Sequence, residues 1–187
     1  MKKVFVITMA LVAFNISAQN ITYGAKTGLN FATMVGEDAE DLDGRTSFHL
    51  GFTAEIEISD TFSIQPELLY SSQGFKQDID DESDTAKVDY INLPVMAKFY
   101  VGNGFSLEAG PQIGFLVSAE SDGEDVKEFL ESTDFALNLG AGYKINSKMN
   151  IGLRYSMGLT DAVKDDEEGD DYDFKHSVFL LSFGYSF

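Results

Sequence analysis

Residues 149–159 read Met149-Asn150-Ile151-Gly152-Leu153-Arg154-Tyr155-Ser156-Met157-Gly158-Leu159. Each odd position is apolar and each even one is polar or glycine, a period of two that belongs to an extended strand with chemically different faces. A helix would mix the two sets around its circumference. The same phase runs outward from this segment in both directions. Phe179, Leu181, Phe183, Tyr185 and Phe187 carry it to the last residue. Toward the N-terminus it returns in Phe135 to Tyr143, Phe105 to Phe115, Ile91 to Val101, Phe62 to Tyr70, Phe48 to Ile58 and Ile21 to Phe31. Eight strands of roughly ten residues are expected.

The connections alternate in length. Asp60-Thr61, Gly102-Asn103-Gly104 and Asn146-Ser147-Lys148 have the residues of tight turns. The other four are long, running over Ala32 to Thr46, Ser72 to Lys87, Ser118 to Thr133 and Thr160 to Phe174, and they hold 24 of the 31 acidic residues. Long and short connections fall at opposite ends of an up-and-down sheet, so one end is plain and the other strongly negative. Hairpins beginning at Ile21, Phe62, Phe105 and Met149 invite a propeller reading, but each unit holds two long strands where a blade holds four short ones. One closed sheet is the simpler account: an all-β, eight-stranded antiparallel up-and-down barrel.

Which phase faces outward separates a soluble barrel that binds a small apolar ligand from a transmembrane β-barrel. The polar phase carries Lys26, Glu55, Glu67, Lys98, Glu108, Lys144 and Arg154, spread over seven of the eight strands and mixed with glycine. An eight-stranded lumen is just filled by side chains, so charges of both signs suit its interior. The apolar phase is then lipid-facing, with Phe52, Leu93, Ile113, Leu139, Leu153 and Leu181 as its markers. Aromatic residues near strand ends, among them Tyr23, Phe62, Phe99, Phe105 and Tyr143, fit interfacial girdles. Phe187 supplies a terminal aromatic residue to the last strand.

Composition narrows function further. The chain has 187 residues, the length of one domain, with 13 basic side chains and a net charge of -18, so nucleic acid is not an expected partner. It has no cysteine, hence no disulfide, thiolate metal site or cysteine nucleophile. Lys2-Lys3, the apolar run Val4 to Ile16 and Ser17-Ala18 read as a signal peptide over residues 1–18, leaving a barrel domain over 19–187. Fragments such as Asp41-Leu42-Asp43-Gly44 and Asp122-Gly123 resemble pieces of a calcium loop without completing one. His49 and His176, near the loop end of strands that flank the first, make a speculative metal pair with Asn30 between them and Asp43 or Asp173 to complete it. Ser177 faces away from His176, so their adjacency makes no catalytic pair. No enzyme and no cofactor are expected.

Four stretches, Tyr23 to Met34, Gln65 to Phe75, Tyr90 to Lys98 and Gly110-Pro111-Gln112-Ile113-Gly114, resemble the outer-membrane β-barrel (PorT-like porin) family. The resemblance covers nearly the whole mature chain and implies an OmpX/OmpA-type barrel in the outer membrane of a Gram-negative-type bacterium. It brings no catalytic residues. Asn92 stands where the family often has an acidic residue. The expected partners are outer-membrane lipid, the barrel-insertion machinery during biogenesis, and cations or surface partners at the acidic loops. The expected role is noncatalytic: structural, adhesive or partner-binding, with a small pore or a secretion-apparatus accessory subunit as lesser readings.

Overall fold

The computed structural model describes residues 21–36, 42–79, 82–121, 123–164 and 174–187. The predicted signal peptide, and Asp41, Asp122 and Asp173, lie outside these. Eight long strands form the molecule: β1 (Ile21–Val35), β2 (Leu42–Ser59), β3 (Phe62–Ile79), β4 (Glu82–Gly102), β5 (Phe105–Ser121), β7 (Thr133–Lys144), β8 (Met149–Asp161) and β9 (Lys175–Ser186). A two-residue strand, β6 (Glu124–Asp125), and a 3-10 turn, Lys127–Phe129, sit between β5 and β7. Each long strand is antiparallel to its two neighbours, β1 pairs with β9, and the β4–β5 pairing completes the closure. This is a closed, eight-stranded, up-and-down barrel.

Closure satisfies every strand edge, which is what permits strands to cross a bilayer. The face assignment follows from β8, where Leu153 is 48% exposed and its neighbour Arg154 5%. Phe52, Leu93, Leu139 and Leu181 are exposed on the outer face and Ile113 partly so, while Phe187 is 70% exposed. The soluble alternative, which needs the apolar phase inside, fails on this observation. Phe62 packs beside Phe99 with ring centroids 6.5 Å apart, and Phe105 lies opposite Tyr143, both near the short turns. Toward the other end, Phe48 packs on Tyr70 at 5.9 Å and Phe179 lies between Phe31 and Tyr155.

The three tight turns fall as the sequence indicates. In the middle one, Gly102, Asn103 and Gly104 all have positive φ, at 111°, 51° and 81°, a run that glycine and asparagine tolerate. The long connections differ from expectation. Strands run from 12 to 21 residues, well beyond ten. The stretch Ser72 to Lys87 is mostly a ladder, with β3 and β4 paired through to Ile79 and Glu82. The physical reason is the surroundings. Beyond the bilayer the outer face meets water instead of lipid, so outward Lys87 is polar while inward Ala86 and Val88 are buried, and the apolar-outward alternation ends while backbone pairing continues.

Candidate functional site

The interior near the short turns is built from charge. Glu67 on β3 accepts from Lys26 Nζ at 2.7 Å and Gln65 Nε2 at 2.6 Å, and from both terminal nitrogens of Arg154 at 2.9 Å. From Arg154 the chain of pairs continues to Glu108 at 3.6 Å, then to Lys98 at 3.4 Å, Glu55 at 3.3 Å and Lys144 at 3.2 Å. All seven charged residues of the polar phase are thus joined in one network. Glu55 also accepts from the Tyr100 hydroxyl, and Lys144 Nζ lies 4.3 Å from the Tyr100 ring centre.

Strand order gives these contacts their meaning. β3 and β8 are four positions apart around an eight-membered ring, as are β2 and β7. The bidentate Arg154–Glu67 pair and the Lys144–Glu55 pair therefore connect opposite walls directly through the lumen. The planar, bidentate, charge-assisted geometry of the Arg154–Glu67 pair is among the stronger side-chain contacts available. Glycine makes room for it: a Cβ on Gly142 would lie 2.6 Å from Glu108 Oε1 and 2.7 Å from Ser106 Oγ. Cavities among these residues measure about 10 and 20 Å³, room for no more than about a single water each. A wider cavity of about 460 Å³ opens at the turn end, among Glu57, Asp60, Tyr100, Asn103 and Lys144.

A neutral layer follows. His49, 0% exposed, is bonded through Nδ1 to Asn30 Oδ1 at 2.7 Å and through Nε2 to Ser182 Oγ at 3.0 Å. An amide oxygen only accepts, so Nδ1 carries the proton and Nε2 accepts from the serine. Asn30 donates in turn to Ser71 Oγ and to the carbonyls of Phe48 and Ser72.

The loop end of the lumen has a different interior. Val88, Tyr90, Leu116 and Ala119 form a buried apolar cluster, and Ala32, Val178 and Leu180 form another. The alternation predicts a glycine-rich interior lined by polar and charged residues. It fails here because the segment after β5 packs back onto the barrel, and inward side chains meet protein on both sides. Val126 and Leu130 cover the first cluster, while Glu131 N donates to Ala162 O at 2.9 Å and Lys164 N to Phe129 O at 3.0 Å. Beneath this cap, Tyr90 on β4 reaches His176 on β9, again the opposite wall, with 3.0 Å between hydroxyl and Nε2 and the rings edge to face at 5.3 Å.

The two histidines do not form a metal pair. His49 lies opposite Gly28 and His176 opposite Met34 on the same strand, a separation of six residues or about 20 Å. Both are buried in the lumen rather than set at its rim, and each is held by separate partners. Among the described residues no three His, Asp or Glu side chains are grouped to hold a metal ion. Sequence reasoning missed the Tyr90–His176 contact. Its one available signal is that Val88 and Tyr90, both apolar-bodied, share the inward parity of Asn92.

Comparison with known proteins agrees with the geometry. A family model described as outer membrane protein beta-barrel domain matches residues 17–164, and the chain belongs to this family. It is a transmembrane β-barrel of the outer membrane of a Gram-negative-type bacterium. Among solved structures it resembles Neisserial surface protein A, at 12% identity and a TM-score of 0.59, with 90% of this chain and 100% of that one covered. It also resembles Ail, the attachment invasion locus protein of Yersinia pestis, crystallised with the heparin analogue sucrose octasulfate. There the identity is 18% and the TM-score 0.55, again over 90% of this chain and 100% of that one. These likenesses concern the fold. No curated protein matches the chain.

Proposed function

We propose that the protein is a noncatalytic surface protein whose acidic loop end binds a positively charged partner, with an adhesive or partner-binding role. The observation that carries this reading is the charge distribution: 24 of 31 acidic residues lie in the four long connections, which belong at the exterior end of an outer-membrane barrel. A field of one sign steers oppositely charged partners and repels like-charged ones. Ail was crystallised with a polysulfated sugar analogue. The acidic loops of this chain would repel such a polyanion, so we assign a basic protein surface or cations in its place.

The reading includes residues 1–18 as a signal peptide, lipid against the outward face, and the insertion machinery as a partner during biogenesis. The finer PorT-like placement rests on the four quoted sequence stretches alone. A pore is the weaker reading, because the cavities within the charged layer are only about 10 and 20 Å³. The test is surface-plasmon binding of polylysine and of heparin to the mature protein in lipid nanodiscs. Binding of polylysine that fades with salt, and that weakens when the eight acidic residues within 160–174 become Asn or Gln, supports the proposal. Binding of heparin alone would overturn it.

A further inference from the structure

The outer face of the barrel is not uniform. The register places Ala141 between Leu107 on one side and Leu153 on the other, with Phe105, Tyr143 and Ile151 forming the next row toward the short turns. One small side chain surrounded by large ones leaves a groove of about 230 Å³, walled by Phe105, Tyr143, Ile151, Leu153 and Leu181. Its lining is apolar, and in a membrane-spanning barrel this face meets acyl chains. Ala141 lies three residues from the end of β7, about 10 Å along the strand. The groove therefore opens within reach of the headgroup level on the turn side, which is the periplasmic side.

A cation stands at that level. Lys148, in the β7–β8 turn, is exposed, and its carbonyl accepts from Ser186 N at 2.7 Å, which fixes the turn against the last strand. Its ammonium lies 6.0 Å from the Tyr185 ring centre, and among the described residues no carboxylate pairs with it. We propose that the groove holds an acyl chain of an anionic phospholipid from the periplasmic leaflet, with Lys148 against the lipid phosphate. The ammonium supplies the charge that selects the headgroup, and the gap above Ala141 supplies the shape that retains the chain. Both features belong to one strand end: Lys148 directly precedes β8, whose third and fifth residues, Ile151 and Leu153, wall the groove.

The chain has no tryptophan, so Phe105→Trp provides a single fluorescent reporter in the groove wall. The experiment reads its quenching by brominated phosphatidylglycerol diluted into phosphatidylcholine vesicles, with heat-modifiable gel migration as the check on folding. The expected result is a preference for the anionic lipid of about fivefold, the contribution of one lysine at an anionic surface. Lys148→Glu should abolish the preference while leaving quenching by brominated phosphatidylcholine intact. Ala141→Phe, which fills the groove, should reduce quenching by both lipids. Equal quenching by the two lipids in the parent would overturn the proposal, as would a preference that survives Lys148→Glu. Quenching that declines as protein density in the membrane rises would also overturn it, and would assign the groove to contact with a second copy.

Discussion

The two halves of the lumen solve one problem by different chemistry. Near the short turns, opposite walls are joined by ions: Arg154 to Glu67 and Lys144 to Glu55. Near the loops they are joined by a neutral contact, Tyr90 to His176, set among Val88, Leu116 and Ala119 and covered by Val126 and Leu130. The difference teaches where each device suits. A buried ion pair costs desolvation on both sides and is retained where all its partners are present; Glu67, with a wholly buried side chain, has four such donor contacts. An apolar cap needs only surface to cover.

The largest effect should come from breaking the ionic half. Arg154→Leu leaves Glu67 buried with Lys26 as its remaining cation and should cost about 3–5 kcal/mol, read by urea unfolding in vesicles. A loss under about 1 kcal/mol would mean that water enters the layer and compensates the carboxylate. Next in size is its neighbour on the opposite face. Leu153→Arg puts a charge against lipid and should cost about 2–4 kcal/mol if the residue lies near the bilayer midplane. Tolerance of that change would remove β8 from the membrane phase assigned to it. In the neutral half, Tyr90→Phe leaves His176 Nε2 without its hydrogen bond, for about 1–3 kcal/mol in the same assay. If it matched Arg154→Leu, the proposed contrast between the halves would disappear.

How much of this was legible follows the same division. Within the bilayer the two faces of each strand meet different media, so the alternation of residues 149–159 already contains strand, phase and barrel. The seven charged residues share a parity, but which carboxylate meets which cation is fixed by strand order around the ring and by register, and neither is written in a period of two. Beyond the bilayer the alternation fades. The ladder from Gly74 to Lys87 is hidden in a polar stretch that reads as a loop. His49 and His176 illustrate the limit further. Both belong to strands beside β1, which suggested proximity, yet registers six residues apart on that strand keep them separate.

The central claim is that neighbouring residues of one strand live in lipid and in a packed lumen. Since the chain has no cysteine, single cysteines at each position from 149 to 159 can be spin-labelled in vesicles. Collision with lipid-dissolved oxygen should then be high at 149, 151, 153, 155, 157 and 159 and low between them, where neither oxygen nor a water-soluble nickel reagent arrives freely. An inverted phase, or equal access to the nickel reagent at odd and even positions, would contradict the account.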